Sequence, residues 1–293
     1  SPDRELLARM IALIRHRGPD ATAFHIDGPA GLAHARLSII DLSGGDQPIY
    51  NEDRSIWIVF NGEIFNYPEL RADLVEKGHR FYTQSDTEVL VHMYEEFGTE
   101  MFGRLNGQFA FAIWDNRRQE LLLARDRVGI RPLFYRLDGR RLLFGSEIKA
   151  IFAVPDVQRS LDRRTLADVF TCWAPLDAAT AFEGVRQLAA GHFAVYSRTG
   201  LKIQRYWQLR FDSEGGRDRE PSFEEWAGEL AELLIDATRI RLRADVPVGA
   251  YLSGGLDSTL TSAIVKRNFN NLLRTFSVSF TDGRFDEAPF QAA

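Results

Sequence analysis

The sequence is poor in cysteine, in long apolar runs and in excess positive charge, and each shortage excludes something. One cysteine, Cys172, stands among 293 residues, so an internal disulfide and a thiolate zinc cluster are both ruled out. The longest apolar stretches, such as residues 109–114, are far too short to cross a bilayer. Against 41 acidic residues there are 36 basic ones, a formal net charge of -5, which offers no broad field to a polyanion. A soluble, cytoplasmic protein with neither nucleic acid nor membrane as partner is predicted.

What is present supports a large core. The hydrophobic share is 45%, with 21 Phe and 5 Trp, and the length favours two domains over one. Residues 5–15 place apolar side chains at helical spacing and end at the breaker His16-Arg17-Gly18-Pro19-Asp20. Short β-prone runs follow at 31–40, 55–60, 107–114, 120–125, 132–137 and 141–146, with helices predicted at 68–77 and 86–97. Many strands with few helices point to two stacked sheets with helices packed outside. Residues 211–221 are charged, contain glycine and lack aliphatic side chains, so a linker is expected there. Beyond it a helix at 223–243, a strand at 248–252, a helix at 258–266 and a strand at 273–280 predict a parallel sheet. The domain boundaries are therefore set at 1–210, 211–221 and 222–293.

Between that strand and helix lies Ser253-Gly254-Gly255-Leu256-Asp257-Ser258. Glycines let backbone N–H groups approach an anion, the first helical N–H groups are unpaired, and the helix dipole is positive at that end. Ser253 and Ser258 add hydroxyl donors, and Asp257 suits a magnesium ion bridging phosphates. The plain alternative is a strand-to-helix turn capped by Ser and Asp. The whole string resembles the pyrophosphate loop of the ATP pyrophosphatase superfamily, Ser-Gly-Gly-x-Asp-Ser, and lacks the Gly-Lys-Ser/Thr ending of a Walker loop. That resemblance implies cleavage of ATP to AMP and pyrophosphate, and it carries Val278 into the ATP-binding set.

A second resemblance rests on strings in order. They are His16-Arg17-Gly18-Pro19-Asp20, His34-Ala35-Arg36-Leu37-Ser38-Ile39, Gln47-Pro48, Asn61-Gly62-Glu63-Ile64 and Ser85-Asp86-Thr87-Glu88. Asn106-Gly107-Gln108-Phe109-Ala110-Phe111, the run from Arg125 to Leu133, and Ser146-Glu147-Ile148-Lys149-Ala150 follow. Together they resemble the class II glutamine amidotransferases, in particular the asparagine synthetases. Alone, Asn61-Gly62-Glu63 reads as a hairpin turn after the strand at 55–60, Arg36 as partner to a surface acid, Asp86 as a helix cap and Glu63 as a solvated turn charge. The resemblance implies an N-terminal-nucleophile-hydrolase fold, two antiparallel sheets sandwiched between helices, followed by an incomplete ATP-pyrophosphatase-type domain. It assigns the α-carboxylate of glutamine to Arg36, the α-ammonium to Asp86, and the oxyanion hole to the Asn61 side-chain amide and the Gly62 N–H. Glu63 helps to hold the substrate amine or amide. His16, His34 and His92 match no ligand spacing and read as structural.

The family nucleophile is a cysteine at the mature N-terminus, whereas this sequence opens Ser1-Pro2. Cys172 lies mid-chain and reads as a small buried filler. Either the natural start lies upstream or the glutaminase half has lost its nucleophile. The intact set Arg36, Asn61, Gly62 and Asp86 favours the first, and a synthetase fold barely begun at the other end suggests a chain cut at both ends. The resemblance thus implies ATP- and Mg2+-dependent amidation of a carboxylate, aspartate by default, with ammonia from glutamine, in a possible homodimer. Competing readings are a glutaminase-defective relative of the β-lactam synthetase kind and a non-catalytic protein that binds glutamine or nucleotide as a signal.

Overall fold

A computed structural model of the chain describes residues 2–211, 221–269, 273–282, 284 and 286–292. Two compact units emerge, residues 1–210 and 211–293. The expected linker at 211–221 lies almost wholly outside the described residues. No described helix is long and apolar enough to cross a membrane.

The first unit begins with α1 (Arg4–Ala12), β1 (Ala21–Asp27), β2 (Ala30–Arg36), β3 (Ile49–Tyr50) and β4 (Ile56–Ile64). Next come α2 (Tyr67–Glu76), α3 (Asp86–Phe97), β5 (Gly107–Asp115), β6 (Glu120–Arg125), β7 (Phe134–Asp138) and β8 (Arg141–Gly145). Helices α4 (Ile148–Ile151) and α5 (Arg163–Cys172), then β9 (Arg186–Gln187), β10 (His192–Ser197) and β11 (Gly200–Arg205), complete it. Six strands form an antiparallel sheet in the order β11-β10-β6-β5-β4-β3. A three-stranded antiparallel sheet, β8-β7-β9, and the hairpin β1-β2 are separate.

Alternation along each strand divides the large sheet into two faces. Ile56, Ile58, Phe60 and Ile64 of β4 join Phe109, Phe111 and Ile113 of β5 in a core with Leu74 of α2 and Val89, Leu90 and Met93 of α3. The opposite face, with Val59, Ala110, Ala112, Trp114, Leu121 and Leu123, packs on Leu32 of β2 and on Leu133 and Tyr135. Since β5 and β6 are covered on both sides, they read as unbroken apolar runs. By the same alternation Asn61 and Glu63 share the face of Val59, toward the second layer.

Several expectations change. The Asn61-Gly62-Glu63 string is not a turn: β4 continues through it, with Asn61 opposite Ala110, Gly62 opposite Phe109 and Glu63 opposite Gln108. Tertiary pairing overrides the local turn signal here, because β5 offers a full ladder of partners. The run at 31–40 is strand only to Arg36. Cys172 is exposed rather than a buried filler, at the end of α5, an amphipathic helix with only Thr165 buried.

In the second unit α6 (Phe223–Arg241) opens on a capping box, with Ser222 N donating to Glu225 Oε2 at 2.8 Å and Glu225 N to Ser222 Oγ at 3.3 Å. Then follow β12 (Gly249–Tyr251), α7 (Leu256–Asn268), β13 (Arg274–Phe276) and α8 (Ala288–Ala292), with β12 and β13 paired in parallel. Both strands are shorter than their apolar runs, and α7 starts two residues before Ser258.

Candidate functional site

A cavity of about 1510 Å3 opens in the first unit, and Arg36, Asn61, Gly62, Glu63 and Asp86 all line it. Segments far apart in the chain thus converge on one space. The convergence has visible causes. Gly18 brings the 16–20 loop against β2 so closely that a Cβ there would lie 2.1 Å from Ala35 O. His16 Nε2 stands 3.0 Å and Arg17 Nη1 3.5 Å from Glu147 Oε1, which joins two of the strings recognised in the sequence.

Arg36 ends β2 and is buried. Its Nη1 donates to Asp46 Oδ1 at 2.8 Å and its Nη2 to the carbonyls of Ile40, at 3.1 Å, and Asp41. The guanidinium therefore organises the 40–46 loop beside the cavity. Asp41 ties that loop onward, accepting Gly44 N at 2.8 Å and Gln84 N at 2.7 Å. Gln47 adds a clamp, accepting Phe60 N at 2.6 Å and donating to Thr87 Oγ1 at 3.2 Å. Burial pushes His34 down to about 4, so the ring is neutral at pH 7 and its Nε2–H donates to Phe60 O at 3.1 Å. The ring also lines the cavity, and its Nδ1 is buried without a partner.

Asn61 carries the most telling feature: its Nδ2 is buried and makes no hydrogen bond. A buried amide donor without a partner costs about 1–3 kcal/mol, and this residue lines the cavity. Its neighbour Gly62 sits at φ 156, where a Cβ would meet Gln108 O at 2.1 Å. Asp86 is the first residue of α3, and the cap is Ser85, whose Oγ accepts Thr87 N at 3.2 Å. Burial raises the Asp86 carboxyl to about 6, against the hydrogen bond from Ile64 N at 3.0 Å.

Arg131 was not assigned from the sequence. It lines the cavity, its Nε is buried without a partner, and burial lowers its pKa against the attraction of Glu63. The signal was its place inside the recognised run from Arg125 to Leu133. Asp126, also unassigned, is the hub of that run, accepting Ile130 N at 2.9 Å and Arg131 N at 2.9 Å.

In the second unit Ser253 Oγ and Ser258 Oγ are 3.0 Å apart, and Gly255 N donates to Ser253 Oγ at 3.2 Å. Gly254 has φ 91, and a Cβ on it would meet Phe290 Cβ at 2.9 Å. Gly255 caps α7 without a side chain, and Leu256, Asp257 and Ser258 form the first turn. Gln291 Nε2 donates to both Ser253 O, at 3.2 Å, and Val278 O, at 3.1 Å, which draws Val278 to the loop.

With a two-layer antiparallel body and a convergent polar cavity, the class is that of the N-terminal-nucleophile-hydrolase-type amidotransferases. The glutamine amidotransferase domain matches residues 1–207, so the chain belongs to that family, and the asparagine synthase family matches residues 229–293. Asparagine synthetase (glutamine-hydrolyzing) 3 of Bacillus subtilis is 38% identical over 99% of this chain and 48% of its own length. Asparagine synthetase (glutamine-hydrolyzing) 1 of the same organism is 35% identical, over 97% and 44%. The amidase chry2 of Gibberella zeae is 39% identical, over 89% and 39%. The chain thus spans about half, or less, of the length of these curated relatives. Among solved structures, glutamine phosphoribosylpyrophosphate amidotransferase from B. subtilis, complexed with ADP and GMP, aligns with a TM-score of 0.52. It covers 95% of this chain and 64% of that one at 16% identity, a likeness of fold alone.

Proposed function

We propose that the whole protein amidates a carboxylate, aspartate by default, with ammonia released from glutamine, and that ATP activates the acceptor. Residues 1–210 are the glutaminase domain, 211–221 the linker and 222–293 belong to the ATP-using domain. The buried, unpaired Asn61 Nδ2 carries this reading. With the Gly62 N–H it would meet the oxygen of the glutamine amide as negative charge develops there. Arg36 would take the α-carboxylate through its planar fork, exchanging part of its hold on the 40–46 loop. Asp86 would take the α-ammonium, and Glu63 would orient the amine or amide. A thiol that attacks the amide carbon would form a thioester as the C–N bond breaks, its proton would leave with the nitrogen as ammonia, and water would then hydrolyse the thioester to glutamate and the free thiol. Cys172, exposed and absent from the cavity lining, is not the attacking thiol. By family resemblance that role falls to a cysteine at the mature N-terminus.

The second unit fits ATP and magnesium. The N–H groups of the first turn of α7 have no side-chain cap, and two hydroxyls face one another across the glycines. Ser253, Gly254, Gly255, Leu256 and Ser258 would surround the phosphates, Val278 would flank the nucleotide, and Asp257 would hold the ion, which offsets phosphate charge. The acceptor carboxylate gains AMP as pyrophosphate leaves, and ammonia then displaces AMP.

A second reading keeps both sites and changes only the acceptor, to a carboxylate other than aspartate. The test uses the full-length protein with glutamine, ATP and a panel of carboxylates. Asn61→Ala should lower the glutaminase kcat by about 10²- to 10³-fold while amidation with free ammonia persists. An unchanged glutaminase rate would remove the oxyanion assignment, and no pyrophosphate release with any acceptor would remove the ligase reading.

A further inference from the structure

Away from the cavity, two imidazoles and two carboxylates gather where α2 ends, α3 passes and the turn between β3 and β4 folds over. One ligand atom each from Glu52, His79, His92 and Glu95 lies within 4.8 Å of every other. We propose that this cluster binds one divalent ion of the zinc kind, through Nδ1 of both histidines and one carboxylate oxygen from each glutamate.

The spacing fits that ion. His92 Nδ1 is 3.5 Å from Glu52 Oε2 and 4.0 Å from Glu95 Oε2, and His79 Nδ1 approaches the same Glu52 carboxylate from its other oxygen, 3.6 Å from Oε1. Tetrahedral zinc with bonds of about 2.0–2.2 Å holds its ligands roughly 3.3–3.6 Å apart. The closest pairs already match, and the wider ones, up to 4.8 Å, would close around the ion. Two nitrogens and two oxygens suit a borderline cation better than magnesium or calcium.

Partnering on the far side of each ligand makes the case independent of proximity. His92 is fully buried, yet neither ring nitrogen makes a hydrogen bond. Its Nε2 faces Glu88 Oε1 at 3.6 Å, and His79 Nε2 faces Glu96 Oε2 at 3.6 Å. Each imidazole thus points one nitrogen into the cluster and the other at a carboxylate, the arrangement that orients metal-bound histidines. Glu88 is itself fixed, accepting Tyr82 N at 2.8 Å and Thr83 N at 2.7 Å. The ligand carboxylates are anchored by one oxygen each. Glu52 Oε1 accepts Arg80 N at 2.8 Å, and Glu95 Oε1 accepts Asn51 Nδ2 at 3.1 Å with Arg117 Nη1 at 3.5 Å. Glu95 Oε2 is left buried and unpartnered. Three segments of the chain would be tied together by one ion, one of them the helix that starts at Asp86.

The test is titration of the chelator-stripped chain with Zn2+ by calorimetry and with Co2+ by visible absorption. One equivalent should bind, with the intense bands of tetrahedral cobalt. His79→Asn and Glu95→Gln, both partly exposed, should each weaken binding at least about 100-fold while the stripped variants keep the wild-type circular dichroism. Should either variant misfold, zinc-edge anomalous scattering from soaked wild-type crystals decides, with a peak among the four side chains expected. No uptake, uptake equal in the two variants and wild type, or a peak elsewhere overturns the site and leaves a histidine–carboxylate cluster in its place.

Discussion

The Asp86 carboxylate accepts the backbone N–H of Ile64 at 3.0 Å, and so fastens the start of α3 to β4 just beyond the Asn61–Gly62 pair. The bond sets a proposed ammonium ligand at a fixed offset from a proposed oxyanion hole. It also leaves a carboxyl whose burial raises it to about 6. For an acid raised on folding, the buried charge costs stability above pH 6, and that cost is relieved as pH falls from about 6 toward 4. The shift to about 6 corresponds to about 3 kcal/mol at neutral pH. Asp86→Asn should therefore flatten the stability profile over pH 4–6 and be at least as stable as wild type at pH 7.5, as read by urea denaturation. Because an ammonium favours the ionised form, wild-type glutamine affinity should fall as pH drops below 6, and the KM of Asp86→Asn should be about 100-fold higher at pH 7.5, a gap that narrows below pH 6 as the wild-type carboxyl is protonated.

Gly62 is predicted to tolerate no side chain. Its φ of 156 and the 2.1 Å that would separate an added methyl group from Gln108 O mean that β4 and β5 would have to part. Gly62→Ala should destabilise the unit by about 3 kcal/mol, since the obstacle is backbone rather than a movable side chain. Comparable denaturation midpoints for Gly62→Ala and wild type would show that the strands can yield.

Legibility in the sequence followed burial only in part, since β10, inside the large sheet with Phe193 and Ala194 buried, was not predicted. Central strands β5 and β6, covered on both faces, announce themselves as apolar runs, and α3 does so with a cap and helical periodicity. The hairpin β1-β2 was half visible, because Ala21–Asp27 is only partly buried and contains His25 and Asp27. The edge strand β11, with four exposed residues, left no apolar trace. Asn61, Gly62, Glu63, Arg36 and Asp86 were legible as strings, yet their meeting in one cavity was not, because it depends on the packing of β2, β4 and α3, which belong to different layers. His92 read as structural because its cluster draws on Glu52 and His79, which no local spacing connects to it.

Arg125 is expected to be a positioning residue for the cavity wall. Its buried guanidinium donates to Arg131 O at 2.7 Å, Leu188 O at 2.8 Å and Gly129 O at 2.7 Å. An ammonium on a flexible stem cannot reach three diverging carbonyls. Arg125→Lys should lower stability by about 2–4 kcal/mol, from two lost charge-assisted bonds with their acceptors left buried. Because Arg131 follows from the same turn, glutamine KM should rise more than kcat falls. An equal loss in both would point instead to direct contact with the transition state.

In the loop at 253–258 Ser253, Leu256 and Asp257 are exposed and Gly254, Gly255 and Ser258 half-buried, so side-chain substitutions there should report more on binding than on folding. Ser258 Oγ meets Ser253 N at 3.2 Å, Ser253 Oγ at 3.0 Å and Gly255 O at 3.2 Å, closing the loop on itself. Phosphate oxygens would compete for the same donors, so ATP must replace these contacts with stronger, charge-assisted ones. In the full-length protein Ser258→Ala and Asp257→Asn should keep their thermal midpoints within about 2 °C, a surface-substitution range. Pyrophosphate release should fall at least about 100-fold in Asp257→Asn, where a lost metal ligand leaves phosphate charge uncompensated. The decrease should be smaller in Ser258→Ala, which removes one neutral donor, and raising Mg2+ should restore part of the activity of Asp257→Asn alone. If high Mg2+ rescues both variants or neither, Asp257 is not the ion's ligand.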